Sequence, residues 1–131
     1  NNMKKFLALI FIFISLFSFA QDRKIVGSQF ITTLFIDKNM EKAHALFDDS
    51  IGKQVAPEDL KSLEEQLEGQ LGELKNILDV NNEKDTYYFY SDFSKTKLDI
   101  QITFNDANKI VGFYFVPHKV FKKEEDKTEV K

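Results

Sequence analysis

The texture of this chain changes at Gly72, and that change fixes its fold class. Before Gly72, apolar side chains recur at spacings of three and four; after it they alternate or cluster among β-branched and aromatic residues. The first pattern presents one stripe of a helix and the second presents the faces of a strand, so neither segment suits the other's conformation. Helices followed by strands specify an α+β domain: three N-terminal helices packed on one face of a four-stranded antiparallel sheet.

From Asp22 to Phe35 the apolar stripe consists of Ile25, Val26, Phe30, Thr33 and Leu34, while Arg23, Lys24 and Gln29 fall away from it. Asp37-Lys38-Asn39 is a turn with two good cap residues, and a second helix runs from Met40 to about Phe47, burying Met40, Ala43, Leu46 and Phe47. Asp48-Asp49-Ser50 ends it, leaving Ile51 to Val55 as a loop or short edge strand. Pro57 opens a third helix, with Glu58 and Asp59 favourably placed at its positive end. Leu60, Leu63, Leu67 and Leu71 form its stripe, and Gly72 stops it in the left-handed conformation. Gly27-Ser28 falls inside the first helix, not on a nucleophile elbow. Leu74 to Val80, Thr86 to Ser91, Lys97 to Phe104 and Ile110 to Val116 are strands separated by polar turn residues, so a meander is the economical order. Leu98, Ile100, Ile102 and Phe104 share one face of the third strand. Ile110 to Val116 and Tyr87 to Tyr90 leave neither face polar, which calls for a cover on the outer face as well. Sheet-to-sheet pairing in a homodimer is the expected cover; the alternative is that tyrosine hydroxyls make those positions tolerable in water.

The first twenty residues stand apart. Lys4 and Lys5 precede an almost unbroken apolar run from Phe6 to Phe17, closed by Ser18-Phe19-Ala20. That order reads as a secretory signal peptide, with an uncleaved membrane anchor as the alternative. Cleavage leaves residues 21–131: a domain over 21–117 and a charged, solvated tail over 118–131. The expected address is periplasmic or extracellular, without a membrane association after cleavage. A lipoprotein is excluded because Gln21, not cysteine, follows the leader. The chain has no cysteine, so it uses neither disulfides nor thiolate zinc sites. Beyond the leader, 16 basic residues face 21 acidic ones without a basic cluster, which argues against nucleic acid as a partner.

Two segments together resemble a known family. One is Phe47 through Leu74, with Pro57-Glu58-Asp59-Leu60 and Leu71-Gly72-Glu73-Leu74-Lys75. The other is Leu98-Asp99-Ile100-Gln101-Ile102-Thr103-Phe104 through Asn105 to Lys109, closing on Ile110-Val111-Gly112-Phe113-Tyr114-Phe115-Val116-Pro117. The pair resembles the small bacterial domain-of-unknown-function 3887 family. The resemblance implies a nuclear-transport-factor-2-like, cystatin-like cone, in which three helices wrap a curved sheet. Relatives of this kind often precede an exported hydrolase or peptidase domain; here only the tail follows, which reads as a stand-alone version. Ala56 departs from the serine or threonine cap expected before the proline, at a cost of roughly 1 kcal/mol.

Candidate chemistry is sparse. His44 and Asp48 lie one turn apart and offer a weak general-base pair; the alternative is a surface pair near a helix end. His118 is expected at the surface. Asp48-Asp49-Ser50 lacks the further oxygen ligands of a calcium loop, and Glu64, Glu65 and Glu68 read as a solvated helix face. Neither a metal nor a cofactor is expected. If the helices leave space over the sheet, Phe30, Leu34, Phe47, Tyr88, Tyr90, Phe104 and Tyr114 would line an apolar pocket; otherwise these rings are core. The expected function is a non-catalytic exported module that binds a hydrophobic small molecule or an envelope protein. The alternative is a small cone-fold enzyme using His44 and Asp48 or a pocket tyrosine for proton transfer or hydrolysis.

Overall fold

The computed structural model describes residues 21–122; the leader assigned to residues 1–20, and residues 123–131 of the tail assigned to 118–131, lie outside them. Residues 21–32 form helix α1, which continues as a π-turn over Thr33–Asp37. Helices α2 (Met40–His44), α3 (Asp49–Gln54) and α4 (Pro57–Leu71) follow. Strands β1 (Leu74–Glu83), β2 (Thr86–Phe93), β3 (Lys97–Phe104) and β4 (Ile110–Val116) complete the domain. The sheet is an open antiparallel meander in the order β1-β2-β3-β4, as the turn chemistry implies. None of the described helices is long and apolar enough to cross a membrane.

The helical half differs from the sequence expectation in three ways, each with a local cause. Residues 49–54 are helical instead of loop or strand. Asp48 does not terminate a helix; its side chain accepts the Ser50 N–H at 3.1 Å and starts one. Helix α2 therefore ends at His44, and the edge pairing falls earlier, at a parallel bridge between Phe47 and Ile110. The Asp48 N–H donates to the Ile110 carbonyl, and the Ile110 N–H to the Leu46 carbonyl.

Second, α1 buries Phe30, Thr33 and Leu34 of the expected stripe and half-buries Val26, but the buried face is centred one position away from it. Arg23, Gly27, Phe30, Ile31 and Leu34 are buried, at helical spacing, whereas Ile25 is 55% exposed. Arg23 is 5% exposed because its guanidinium reaches two turns of the sheet. It donates to Asp85 Oδ1 at 2.7 Å, Asn108 Oδ1 at 3.0 Å and the Asn105 carbonyl at 3.1 Å. The π-turn then shifts the frame, so Thr33 and Phe35 are also buried.

Third, Gly72 has φ +83° but ψ −161°, a region essentially confined to glycine and distinct from the left-handed helix. A Cβ there would meet Ser94 Oγ, whose hydroxyl accepts the Glu73 N–H. Helix α4 itself starts at Pro57 as expected. Ala56 has no acceptor to offer, but the Asp59 carboxylate returns a bond to the Ala56 N–H at 2.8 Å.

The core lies between α1–α4 and the inner face of the sheet. Tyr87, Phe89 and Phe93 of β2 and Ile100, Ile102 and Phe104 of β3 are buried there with Phe30, Ile31, Leu34, Phe47 and Leu60. Strand β1 contributes Leu74, Ile77 and Val80 at every third position, because bulges at Leu74/Asn76 and Ile77/Asp79 reset its alternation.

Candidate functional site

Three mutually interacting titratable groups, Lys38, Glu64 and Glu68, line one surface cleft, in the gap between the π-turn after α1 and α4. The π-turn ends at Lys38, which sits in the left-handed region at φ 53°. This geometry carries the Lys38 ammonium across to α4, where it donates to Glu68 Oε2 at 2.9 Å. One turn before Glu68, Glu64 is 3% exposed. Burial first, then a hydrogen bond with Glu68, pushes the Glu64 carboxyl above the ordinary carboxylate range. Glu68 is held low by Lys38 and by that same bond, and Lys38 is raised by Glu68. The result is a carboxyl raised at Glu64, a carboxyl lowered at Glu68 and an ammonium paired with it at Lys38, around a cleft of about 240 Å³. Phe35, Ile36 and Leu74 form its apolar wall, and Gly72 and Glu73 close it.

The reading of Glu64, Glu65 and Glu68 as one solvated face is therefore corrected at Glu64. Leu60 is buried one turn before it and Leu71 is half-buried two turns after, so position 64 lies within the inward stripe. A glutamate there loses water, and the turn of Lys38 into the gap supplies the neighbouring charge.

This arrangement sets a pH dependence. Glu64 has a folded pKa above its unfolded value, so its contribution to stability is complete below the ordinary carboxylate range and is lost as pH rises through the raised value. Glu64→Gln abolishes that loss. In urea unfolding, the stability of the variant relative to the parent should rise as pH climbs above the ordinary glutamate value of about 4.3; a difference that does not change with pH would contradict the burial of this carboxyl.

His44 and Asp48 border a second, shallow cleft of about 280 Å³, yet they are not bonded to one another. The half-buried His44 donates through Nε2 to the Gly52 carbonyl at 2.8 Å, with its ring edge against Phe47. Asp48 accepts from Ser50 N–H and Oγ–H and from Asn105 Nδ2, and these bonds hold its carboxyl below the usual range. Both side chains thus fasten α3 to its surroundings.

The seven residues expected around an apolar pocket do not come together. Phe30, Leu34, Phe47 and Phe104 are buried core, with Phe30 5.4 Å from Phe47 and 5.3 Å from Phe113, centroid to centroid. Tyr88, Tyr90 and Tyr114 lie on the outer face, because Tyr87 and Phe89 take the inward positions of β2 and Tyr114 pairs with the outward Gln101. Strand alternation separates the two groups, so no single cavity can be lined by both. Part of the outer cover anticipated from a second copy is supplied by the chain itself. His118, expected at the surface, has a side chain only 32% exposed, because its ring stacks on Tyr90 and bonds Asp99; Tyr114 remains 62% exposed.

A family model described as "Protein of unknown function (DUF3887)" matches residues 28–113, a span that contains both clefts and most of the sheet. No curated protein and no solved structure matches.

Proposed function

The chain belongs to the DUF3887 family, and from that premise we propose that it is an exported, non-catalytic module that binds a protein partner. The carrying observation is the cleft at Lys38. Glu64, Glu68 and Glu73 outnumber the one ammonium there, beside an apolar wall of Phe35, Ile36 and Leu74. Such a site fits a lysine or arginine side chain, its stem on the apolar wall and its head on the carboxylates. The partner is thus a protein that presents a basic residue within an apolar patch. Ile36, 53% exposed, offers the adjoining hydrophobic contact.

A hydrophobic small molecule has no comparable place, since the aromatic side chains between helices and sheet pack against one another. A catalytic role for His44 and Asp48 has little to stand on while both are engaged by neighbouring groups. Export is supported by the basic start, apolar run and small residues of positions 1–20. Kinship with the cone-like nuclear-transport-factor-2-like folds is part of the same proposal, supported by helices confined to one face of an open meander.

The test is a titration of the isotopically labelled protein with a lysine-bearing amphipathic peptide and with its glutamate-bearing counterpart. The lysine peptide should move the amide resonances of Ile36, Lys38, Glu68 and Leu74 saturably, in a salt-sensitive way, and the effect should vanish in Glu68→Gln/Glu73→Gln. Equal responses to both peptides, or none, would refute the assignment.

A further inference from the structure

The outer face of the sheet holds a segment of the chain's own C-terminal region. After β4 the backbone turns at Pro117, and residues 118–121 cross back over β3 and β2 without regular pairing. Asp99 of β3 is 1% exposed beneath them; its carboxylate accepts His118 Nδ1–H at 2.8 Å and the Lys119 backbone N–H at 2.7 Å. The His118 ring stacks on Tyr90 with centroids 3.6 Å apart and planes 15° from parallel. Phe121 packs on Tyr88 at 5.3 Å, and the Lys119 ammonium pairs with Glu83 of β1 while lying over both of those rings.

Each of these contacts reads a different chemical group: a ring N–H, a main-chain N–H, an ammonium and an aromatic ring. Three of the four side chains of the segment are recognised, and only Val120 is left outside, 78% exposed. A buried carboxylate set among aromatic platforms is what a peptide-recognition site requires. Among the described residues the segment follows Pro117 directly, and its seating contacts are made by His118, Lys119 and Phe121.

We propose that this face is a peptide-binding site exchanged between two copies of the chain. The segment of one copy seats on Asp99, Tyr90, Tyr88 and Glu83 of the other, and occupation by a copy's own segment keeps the isolated chain closed. In the exchange the chain leads away at Pro117 and the contacts made within one chain recur between two, as in domain swapping. The tether gives the chain's own segment a high effective concentration, so exchange prevails at high protein concentration or where that segment is defective. The residues concerned lie beyond the 28–113 family match on the segment side and within it on the receiving side.

Two full-length variants test this, each expressed with its own N-terminus so that any processing is retained. Asp99→Val destroys the receiving site and keeps the segment; His118→Ala/Phe121→Ala keeps the site and cripples the segment. By sedimentation velocity each alone should be monomeric, and their mixture should form a 1:1 complex at concentrations at least about tenfold below those at which the parent associates. Two independent monomers in the mixture at about 1 mM, the effective concentration of a short tether, would overturn the proposal. Should Asp99→Val fail to fold, a synthetic peptide of residues 116–122 titrated onto His118→Ala/Phe121→Ala decides the matter. Saturable shifts at the amides of Tyr88, Tyr90 and Asp99 support the site, and unchanged spectra overturn it.

Discussion

Gly27→Ala should destabilise the domain by about 2 kcal/mol or more, although alanine is the better helix former by up to about 1 kcal/mol. A Cβ at position 27 would lie 2.1 Å from Phe89 Cζ and 2.6 Å from Cε1. Phe89 is fully buried in the middle of the sheet, so its ring has no solvent to retreat into. The missing side chain on α1 is the slot that lets helix and sheet approach. For a domain of this size the melting temperature should fall by roughly 10 °C. Pairing the change with Phe89→Leu, which shortens the ring that fills the slot, should recover part of the loss, so that the double variant is less damaged than the two single costs added together. A neutral or stabilising Gly27→Ala would mean that the contact does not exist as described.

Arg23→Met should cost about 2–3 kcal/mol, the range for losing hydrogen bonds made by a charged group. Methionine keeps much of the apolar stem, so the loss measures the guanidinium and not its packing. The bond to Asp85 adds little, because that carboxylate is 61% exposed and screened by water. The loss comes mainly from the Asn105 carbonyl and Asn108 Oδ1, which tie the β3–β4 turn to α1. Hydrogen exchange should accelerate in that turn and at Lys84 and Asp85 more than in the centre of β3. Arg23→Lys should not restore stability, since one ammonium cannot span three acceptors in a fixed fork. A cost below about 0.5 kcal/mol, the ordinary surface range, would contradict the anchoring role.

These two residues also explain what the sequence left hidden. The sheet is legible because its strands announce themselves through β-branched and aromatic residues, and because Asn105 to Asn108 and Lys84-Asp85 are turn formers. Helix α1 is legible as a helix, and Phe30, Thr33 and Leu34 of its expected stripe are buried, but the rest of its buried face is not legible, since hydrophobic periodicity registers only apolar side chains. Arg23 and Gly27 occupy that face through hydrogen bonding and through absence of bulk, two properties the pattern does not score. Asp48 misled for a related reason: the same residue type closes one helix or opens the next, and only the bond to Ser50 decides. The bulges of β1 replaced alternation with a spacing of three, so Leu74, Ile77 and Val80 share a face that simple pairing by twos would divide.

The candidate site was less legible still. Histidines attract attention because their ordinary pKa lies near neutrality, yet His44 serves the Gly52 carbonyl. Glu64 has its carboxyl raised by burial, a property of position and not of residue type. One signal was available: Glu64 follows Leu60 by four residues and precedes Leu71 by seven, the spacing of the inward stripe. The turn that brings Lys38 beside it has no such mark in the sequence.

Aromatic side chains fill the space between helices and sheet, and the proposed recognition on the outside of the molecule depends on that packing. Amide spectra recorded while indole or naphthalene derivatives are added to saturation test this most directly. The packing of Phe30, Phe47, Phe104 and Phe113 predicts unchanged resonances at Phe30, Leu34, Ile100 and Phe104 and an unaltered melting temperature. Saturable shifts at those four residues, accompanied by a rise in melting temperature, would contradict it and return an internal ligand to the centre of this protein's function.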